Sequence, residues 1–316
     1  MPKKKSESSV PVLFEMPSVG KVSSIADMAE GFSVYYEHPN GKLFQGDSLI
    51  WLKSLESNSI DLVFADPPYN IKKAEWDNFS SQEAYIAWSM LWIEEAARVL
   101  KDTGSLYVCG FSEILADLKH PASRYFHACR WLVWNYRNKA NLGTDWGRSH
   151  ESILHFRKSE EFSLRVDNVR IPYGNHTLKY PGHPQATTSQ FGNGKPRAEE
   201  WLPNPLGAKP KDVIEIPTTC NGMGEKTPHP TQKPEELLRK LLLAASDEGQ
   251  TVLDPFSGSG TTLVVAEQLR RKWLGCDISS EYNGWAVNRI ENVRKLSIMD
   301  WIEFDKKNAE RRESIR

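Results

Sequence analysis

The sequence has almost no net charge to offer a partner: 40 Lys and Arg against 41 Asp and Glu leave −1 over 316 residues. A globally basic surface is thereby excluded, so any phosphate contact must come from local basic clusters. No apolar run approaches the roughly 20 residues of a membrane helix. Met1-Pro2-Lys3-Lys4-Lys5-Ser6 has no apolar stretch behind its positive charge, so no secretory signal is expected there. The four cysteines, Cys109, Cys129, Cys220 and Cys276, show no Cys-x-x-Cys spacing. They predict no metal site, a reducing compartment and a role as buried small hydrophobes. Also missing are a Gly-Lys-Ser/Thr phosphate loop, a three-glycine dinucleotide fingerprint and any internal repeat.

What is present is the composition of a globular protein, unusual only in its 11 tryptophans. Residues 1–31 mix Ser, Pro, Lys and Glu with isolated apolar residues and read as a loose arm. Short strands flank the Pro39-Asn40-Gly41 turn, and Gly46-Asp47-Ser48 opens a short helix through Leu55. Ile60 to Ala65 is a buried strand by length and composition. Ser80-x-x-Glu83 predicts a capping box ahead of Tyr85, Trp88, Trp92, Ala96 and Val99 at helical spacing, which Asp102-Thr103-Gly104 stops. Ser105–Cys109 is the next strand, and Arg130–Tyr136 and Glu151–Phe156 read as an edge pair. From Arg157 to Pro228 neither the strand nor the helix period persists; a compact domain rarely carries so long a stretch unless it is functional, although composition alone reads as a surface loop region of solvated charges. Order returns with a helix whose first residue is Pro234 and whose face is Leu237, Leu238, Leu241 and Leu242. Thr251–Leu253, Thr261–Arg270 and Lys272–Cys276 then form a βαβ unit, followed by a charged helical tail.

Two turns at strand ends carry the chemistry. Asp66-Pro67-Pro68-Tyr69 follows the strand ending at Ala65 and suits a flat ring bearing an exocyclic amine. Such an amine is a poor nucleophile because its lone pair is delocalised. Acceptors around it, here the Asp66 carboxylate and the Pro67 carbonyl, favour the pyramidal form and stabilise developing charge. Pro67 and Pro68 stiffen the turn and remove competing donors, and Tyr69 offers a stacking face. The second turn, Asp254-Pro255-Phe256-Ser257-Gly258-Ser259-Gly260, lies between a strand and a helix. Its glycines let backbone approach a ligand, and the helix N-terminus adds free N–H groups.

Together these turns resemble the beta class of S-adenosylmethionine-dependent DNA amino-methyltransferases, in which the catalytic motif precedes the cofactor motif. The resemblance covers residues 43–156 and 229–280. It implies a doubly wound, mostly parallel α/β sheet of Rossmann-like type with helices on both faces. The expected organisation is an arm at 1–31, a catalytic half at 32–156, an irregular target-recognition region at 157–228, and a cofactor-binding half with a C-terminal tail at 229–316. It implies S-adenosyl-L-methionine as cofactor, with Asp47 near its adenine, Asp277 on ribose hydroxyls, Asp254 at the methionine amino group or ordering the turn, and Phe256, Ser257, Gly258 and Gly260 lining the loop. His229-Pro230-Thr231-Gln232-Lys233-Pro234 resembles the segment that meets the methionine carboxylate, through Thr231 or Lys233. Double-stranded DNA is the implied partner, contacted by Arg165, Arg170, Lys179, Lys195 and Arg197, with the target base flipped out of the duplex. A cytoplasmic, DNA-associated homodimer is the expected assembly, with no membrane contact. Asp at the first catalytic position favours N6 of adenine over N4 of cytosine. The absence of a Pro-Cys dipeptide argues against cytosine C5 chemistry. A non-catalytic DNA-binding specificity subunit and an RNA substrate are the alternatives from other classes.

Overall fold

A computed structural model describes residues 31–71, 77–138, 144, 146–162, 164–179, 202–293, 300, 303 and 306–307. The arm expected at 1–31 lies outside the described residues except for Gly31. In chain order the elements are β1 (Phe32–His38), β2 (Gly41–Gly46), α1 (Ser48–Ser54), β3 (Ile60–Ala65), α2 (Gln82–Val99), β4 (Leu100–Gly110), α3 (Ser112–Ala122), β5 (Ala128–Asn135) and β6 (His150–Arg157). There follow α4 (Asn175–Lys179), β7 (Val213–Glu215), α5 (Glu235–Ala245), β8 (Thr251–Asp254), α6 (Thr261–Gln268), β9 (Lys272–Asp277) and α7 (Ser280–Glu291). No helix among the described residues is long and apolar enough to cross a membrane.

All nine strands form one sheet in the order β1-β2-β9-β8-β3-β4-β6-β5-β7. Pairing is parallel from β2 through β4 and between β5 and β7, while β1 and β6 run against the rest. The sheet is therefore mostly parallel, as the sequence predicts. Side-chain alternation on the buried strands sends residues to both faces. Leu62 and Phe64 of β3 pack with Leu237, Leu241 and Leu263 from α5 and α6. Val63 and Ala65 pack with Trp51, Trp92 and Leu115 from α1, α2 and α3. Burial on both faces explains why β3 reads as a continuous apolar run. Its one charge, Asp61, is only 6% exposed. Lys101 meets both carboxylate oxygens at 2.9 Å, and Thr251 N–H donates at 2.9 Å, so the carboxylate ties β3 to both neighbours.

Four local expectations are corrected. The α2 cap is Ser81, whose hydroxyl accepts from Ala84 N–H at 3.1 Å, one residue later than the Ser80 box. At α5 the cap is Pro234 and Glu235 starts the helix, because the extended ψ of 141° at Pro234 leaves it outside. β4 starts at Leu100, so Asp102-Thr103-Gly104 lies within the strand. Finally, β5 and β6 are not an edge pair. β6 sits inside the sheet between β4 and β5, and the edge is β7, drawn from the irregular stretch and too short to show a period.

Gly260 caps α6 at φ +76°, and a Cβ there would stand 2.5 Å from Cβ of Ala286 on α7. Gly260→Ala therefore combines left-handed backbone strain with overpacking. It should cost roughly 1–3 kcal/mol of stability. Thermal unfolding checks this: a midpoint unmoved within about 1 °C would mean that the two helices give way without cost.

Candidate active site

β8 and β3 are neighbours, with Leu62 opposite Val252 and Val63 opposite Leu253. From that seam the chain proceeds outward in both directions, β3 to β4 on one side and β8 to β9 on the other. This is a topological switch point, and the crevice beyond the carboxyl ends of its strands is where such sheets bind ligands. The Asp66 turn leaves β3 there, the Gly258 turn leaves β8, Asp277 ends β9, and Asp47 follows β2. Because β6 is reversed, its first residues arrive at this same rim and bring Glu151 with them.

A cavity of about 210 Å³ occupies the crevice. Asp47, Asp66, Pro68, Thr231, Lys233 and Asp254 border it, together with Phe256, Ser257, Gly258 and Asp277. Gly260 is not part of its wall, because its Cα faces Ala286. His229, first residue of the hexapeptide, also lines it, as do Trp88 and Tyr282, which the sequence reading did not assign there. Trp88 was legible only as one position of an apolar helix face. Among the described residues no His, Cys, Asp and Glu cluster could hold a metal ion.

The Asp66 turn is held by a second carboxylate. Asp77, 1% exposed, accepts from the N–H groups of Tyr69 and Asn70 at 2.6 Å each and of Ile71 at 3.2 Å. Asn70 takes φ +57°, and its side-chain oxygen accepts from Phe79 N–H at 3.1 Å. Asp66 thereby points one oxygen at the Tyr69 hydroxyl, which donates at 2.6 Å, and the other at Lys233 Nζ, also at 2.6 Å. Glu151 stands 3.2 Å from the Tyr69 hydroxyl and 3.5 Å from Lys233 Nζ. Burial, reinforced by the charges of Asp66 and Glu151, pushes the Tyr69 phenol well above its ordinary range. For Lys233, burial opposes the charge, but Asp66 and Glu151 override it and hold the ammonium above its ordinary pKa. The Tyr69 ring meets Phe111 edge-on at 5.1 Å, and Arg148 covers the Phe111 face at 3.9 Å.

The Gly258 turn is organised by two carboxylates that also face the cavity. Asp254 accepts from Phe256 N–H at 3.0 Å and from the Thr262 hydroxyl at 2.5 Å. Burial raises its pKa to about 7, against those two hydrogen bonds. Asp277 accepts from Gly258 N–H at 2.8 Å and Ser279 N–H at 2.9 Å, and burial raises its pKa as well. Each oxygen keeps a lone pair, so a ligand hydroxyl can still be accepted. Gly258 takes φ +50°, and a Cβ there would lie 3.0 Å from His229 Nε2. Asp47 caps α1 through the N–H groups of Leu49 and Ile50, both at 2.9 Å, with its carboxylate exposed at the cavity border. Acceptors for hydroxyls, the aromatic walls of Trp88 and Phe256, and a bare backbone at Gly258 suit an adenosyl group.

In the hexapeptide, Gln232 is taken up by Thr227 and by the Glu225 carbonyl, which fixes the segment and leaves Thr231 and Lys233 at the cavity. Outside the crevice, Arg165 pairs with Asp247 at 2.7 Å and Arg170 with Asp167 at 2.7 Å. Lys179 is exposed at the end of α4, and Lys195 and Arg197 lie outside the described residues.

The family model described as DNA methylase matches residues 60–288. The Type II methyltransferase M1.MboII of Moraxella bovis is 32% identical over 263 residues, covering 79% of this chain and 97% of that protein. The DNA adenine methyltransferase YhdJ of Escherichia coli (strain K12) is 32% identical over 275 residues, covering 84% and 88%. Among solved structures, the cytosine-N4-specific PvuII DNA methyltransferase aligns with a TM-score of 0.60 at 20% identity, over 85% of this chain and 93% of that one. The putative DNA modification methylase TTHA0409 of Thermus thermophilus, complexed with S-adenosyl-L-methionine, aligns at 0.53 and 21% identity, over 80% and 94%. At such identities the two structures share a fold with this chain. The matched segment contains both strand-end turns and most of the residues lining the cavity between them, and the chain belongs to the DNA methylase family.

Proposed function

We propose that the protein is a site-specific DNA methyltransferase that transfers a methyl group from S-adenosyl-L-methionine to N6 of an adenine flipped out of duplex DNA. The observation that carries this is the convergence of Asp66 and the Gly258 turn on one cavity, at the ends of adjacent strands. The cofactor supplies a methyl group activated by its attachment to a sulfonium. Asp277 and Asp47 suit its ribose and adenine region, and Gly258 leaves the backbone open beside it. The target amine donates a hydrogen bond to Asp66, which orients the nitrogen lone pair and offsets its developing positive charge. That lone pair forms the N–C bond as the C–S bond breaks with its electrons going to sulfur, and one amine proton then leaves by way of Asp66. Tyr69, anchored edge-on to Phe111, presents a surface for the flipped base.

Adenine is favoured by Asp at the first catalytic position and by the E. coli relative's name as a DNA adenine methyltransferase. DNA recognition falls to the region 157–228. Arg165 and Arg170 fasten its described part to the fold and to itself, and Lys179 is exposed at the end of α4. The protein, incubated with unmethylated duplex DNA and methyl-labelled S-adenosylmethionine, should place the label in N6-methyladenine after nucleoside digestion. Label in N4-methylcytosine would overturn the adenine assignment. Label in neither would overturn the methyltransferase reading.

A further inference from the structure

Lys233 lies 167 residues from Asp66 in sequence, yet its ammonium sits between two carboxylates of the amine-binding corner. The three side chains are nearly closed off from solvent, at 7%, 17% and 15% exposure for Lys233, Asp66 and Glu151. They come from three separate places: the segment before α5, the turn after β3 and the start of β6. The same ammonium is 5.5 Å from the centre of the Tyr69 ring. Two carboxylates confined together cannot both stay ionised without a cation, because each opposes the other's charge and burial opposes both. With Lys233 between them the corner carries one net negative charge.

We propose that Lys233 is a positioning residue acting through Asp66: shared between Asp66 and Glu151, its ammonium offsets the charge of both carboxylates and holds Asp66 where it receives the target amine. The Asp66 carboxylate then faces a nitrogen that becomes positive as it is methylated, whereas without the ammonium the two carboxylates would repel each other out of that position. Other groups within electrostatic reach of Asp66 are Tyr69, Tyr85, Cys109 and Asp254, and those near Glu151 are Tyr136 and Arg148. Among them only Arg148 is a cation, and Glu113 already engages it at 2.5 Å. Among the described residues, Lys233 is the cation in contact with Asp66, at 2.6 Å. This inference rests on the methyltransferase reading for its catalytic meaning, but its electrostatic content can be tested without turnover.

The test compares native protein, Lys233→Met, Glu151→Gln and the double variant. With duplex DNA and saturating S-adenosylmethionine, Lys233→Met should lower kcat at neutral pH by about 30-fold or more and move the acid limb of its pH profile upward by about one unit. Adding Glu151→Gln should restore about tenfold, since a single carboxylate remains to be ionised. The affinity for labelled S-adenosylmethionine should stay within a factor of about three throughout. Thermal unfolding supplies the readout that needs no turnover. Removing the cation leaves two carboxylates opposing each other in a confined corner, and that repulsion grows as pH rises. The midpoint deficit of Lys233→Met should therefore widen from about pH 5 to about pH 8, and Glu151→Gln should close it. Cofactor affinity falling about tenfold or more in Lys233→Met, with pH profile and stability gap unchanged, would overturn the proposal in favour of a contact to the cofactor's carboxylate. Equal losses in single and double variants at every pH would overturn it in favour of simple packing. A native protein that transfers no methyl group would sink the methyltransferase reading, while the stability gap would still decide what Lys233 does to the two carboxylates.

Discussion

Asp66→Asn should lower kcat by about 10²–10³-fold while leaving the Kd for S-adenosylmethionine within a factor of about three. The substitution is nearly isosteric, so Pro67 and Pro68 keep the turn. What is lost is charge and one acceptor: the amide can point either its oxygen or its NH₂ group at the target amine, but cannot offset a positive nitrogen. Tyr69 loses an anionic acceptor at 2.6 Å, and Lys233 keeps Glu151 at 3.5 Å. The cofactor contacts assigned to Asp47, Gly258 and Asp277 lie on other strand ends and are untouched. Single-turnover transfer and equilibrium binding on the same preparation check this. Loss of cofactor binding in step with transfer would mean that Asp66 belongs to the cofactor site.

The second large effect is expected at a residue that need not touch either substrate. Asp77→Ala removes the carboxylate that accepts three consecutive backbone N–H groups, from Tyr69, Asn70 and Ile71. With Asp77 only 1% exposed, water cannot simply replace it. The left-handed Asn70 loses its own backbone hydrogen bond and those of both chain neighbours, and Tyr69 and Asp66 lose their geometry with it. A displacement near 1 Å at reacting groups costs about 100-fold in rate, so kcat should fall at least that far. Cofactor affinity should change little, because the Gly258 turn has its own carboxylates. Retained activity in Asp77→Ala would show that the Asp66-Pro67-Pro68-Tyr69 turn is rigid unaided. The two variants differ in their remedy: Asp77→Asn can still accept through its amide oxygen and should recover part of the loss, whereas Asp66→Asn keeps its acceptor oxygen and is expected to stay impaired.

How far the site was legible in the sequence follows from how local each signal is. Asp66 to Tyr69 and Asp254 to Gly260 stand directly behind apolar strand runs, so type and strand-end placement could both be read. Asp47 and Asp277 were readable as acidic residues at turns, each with a cap as its plain alternative. The structure shows Asp47 capping α1, and Asp277 accepting from Gly258 and Ser279 N–H while Ser279 itself caps α7; both aspartates border the cavity. Glu151 was harder. It opens a strand whose reversal is a property of the whole sheet, and only that reversal brings it to the catalytic rim. β7 escaped because three residues cannot display a period. Arg165 and Arg170 were read as phosphate-facing cations, and each meets a carboxylate of the fold, since a basic residue's partner depends on what lies beside it in space.

By itself the sequence determined the strand-end chemistry, the mostly parallel sheet with helices on two faces, and the order of catalytic before cofactor motif. The strand-end turns are written in stretches of fewer than ten residues, through burial and turn chemistry, and the sheet follows from the family that those turns resemble. Only the tertiary structure decided which distant charges meet. Lys233 was legible as a cation suited to a carboxylate, and it was the sheet order β8-β3-β4-β6 that set the carboxylates of Asp66 and Glu151 beside it. Electrostatic partnership depends on distance and desolvation in space, and neither is encoded in the spacing of residues along the chain.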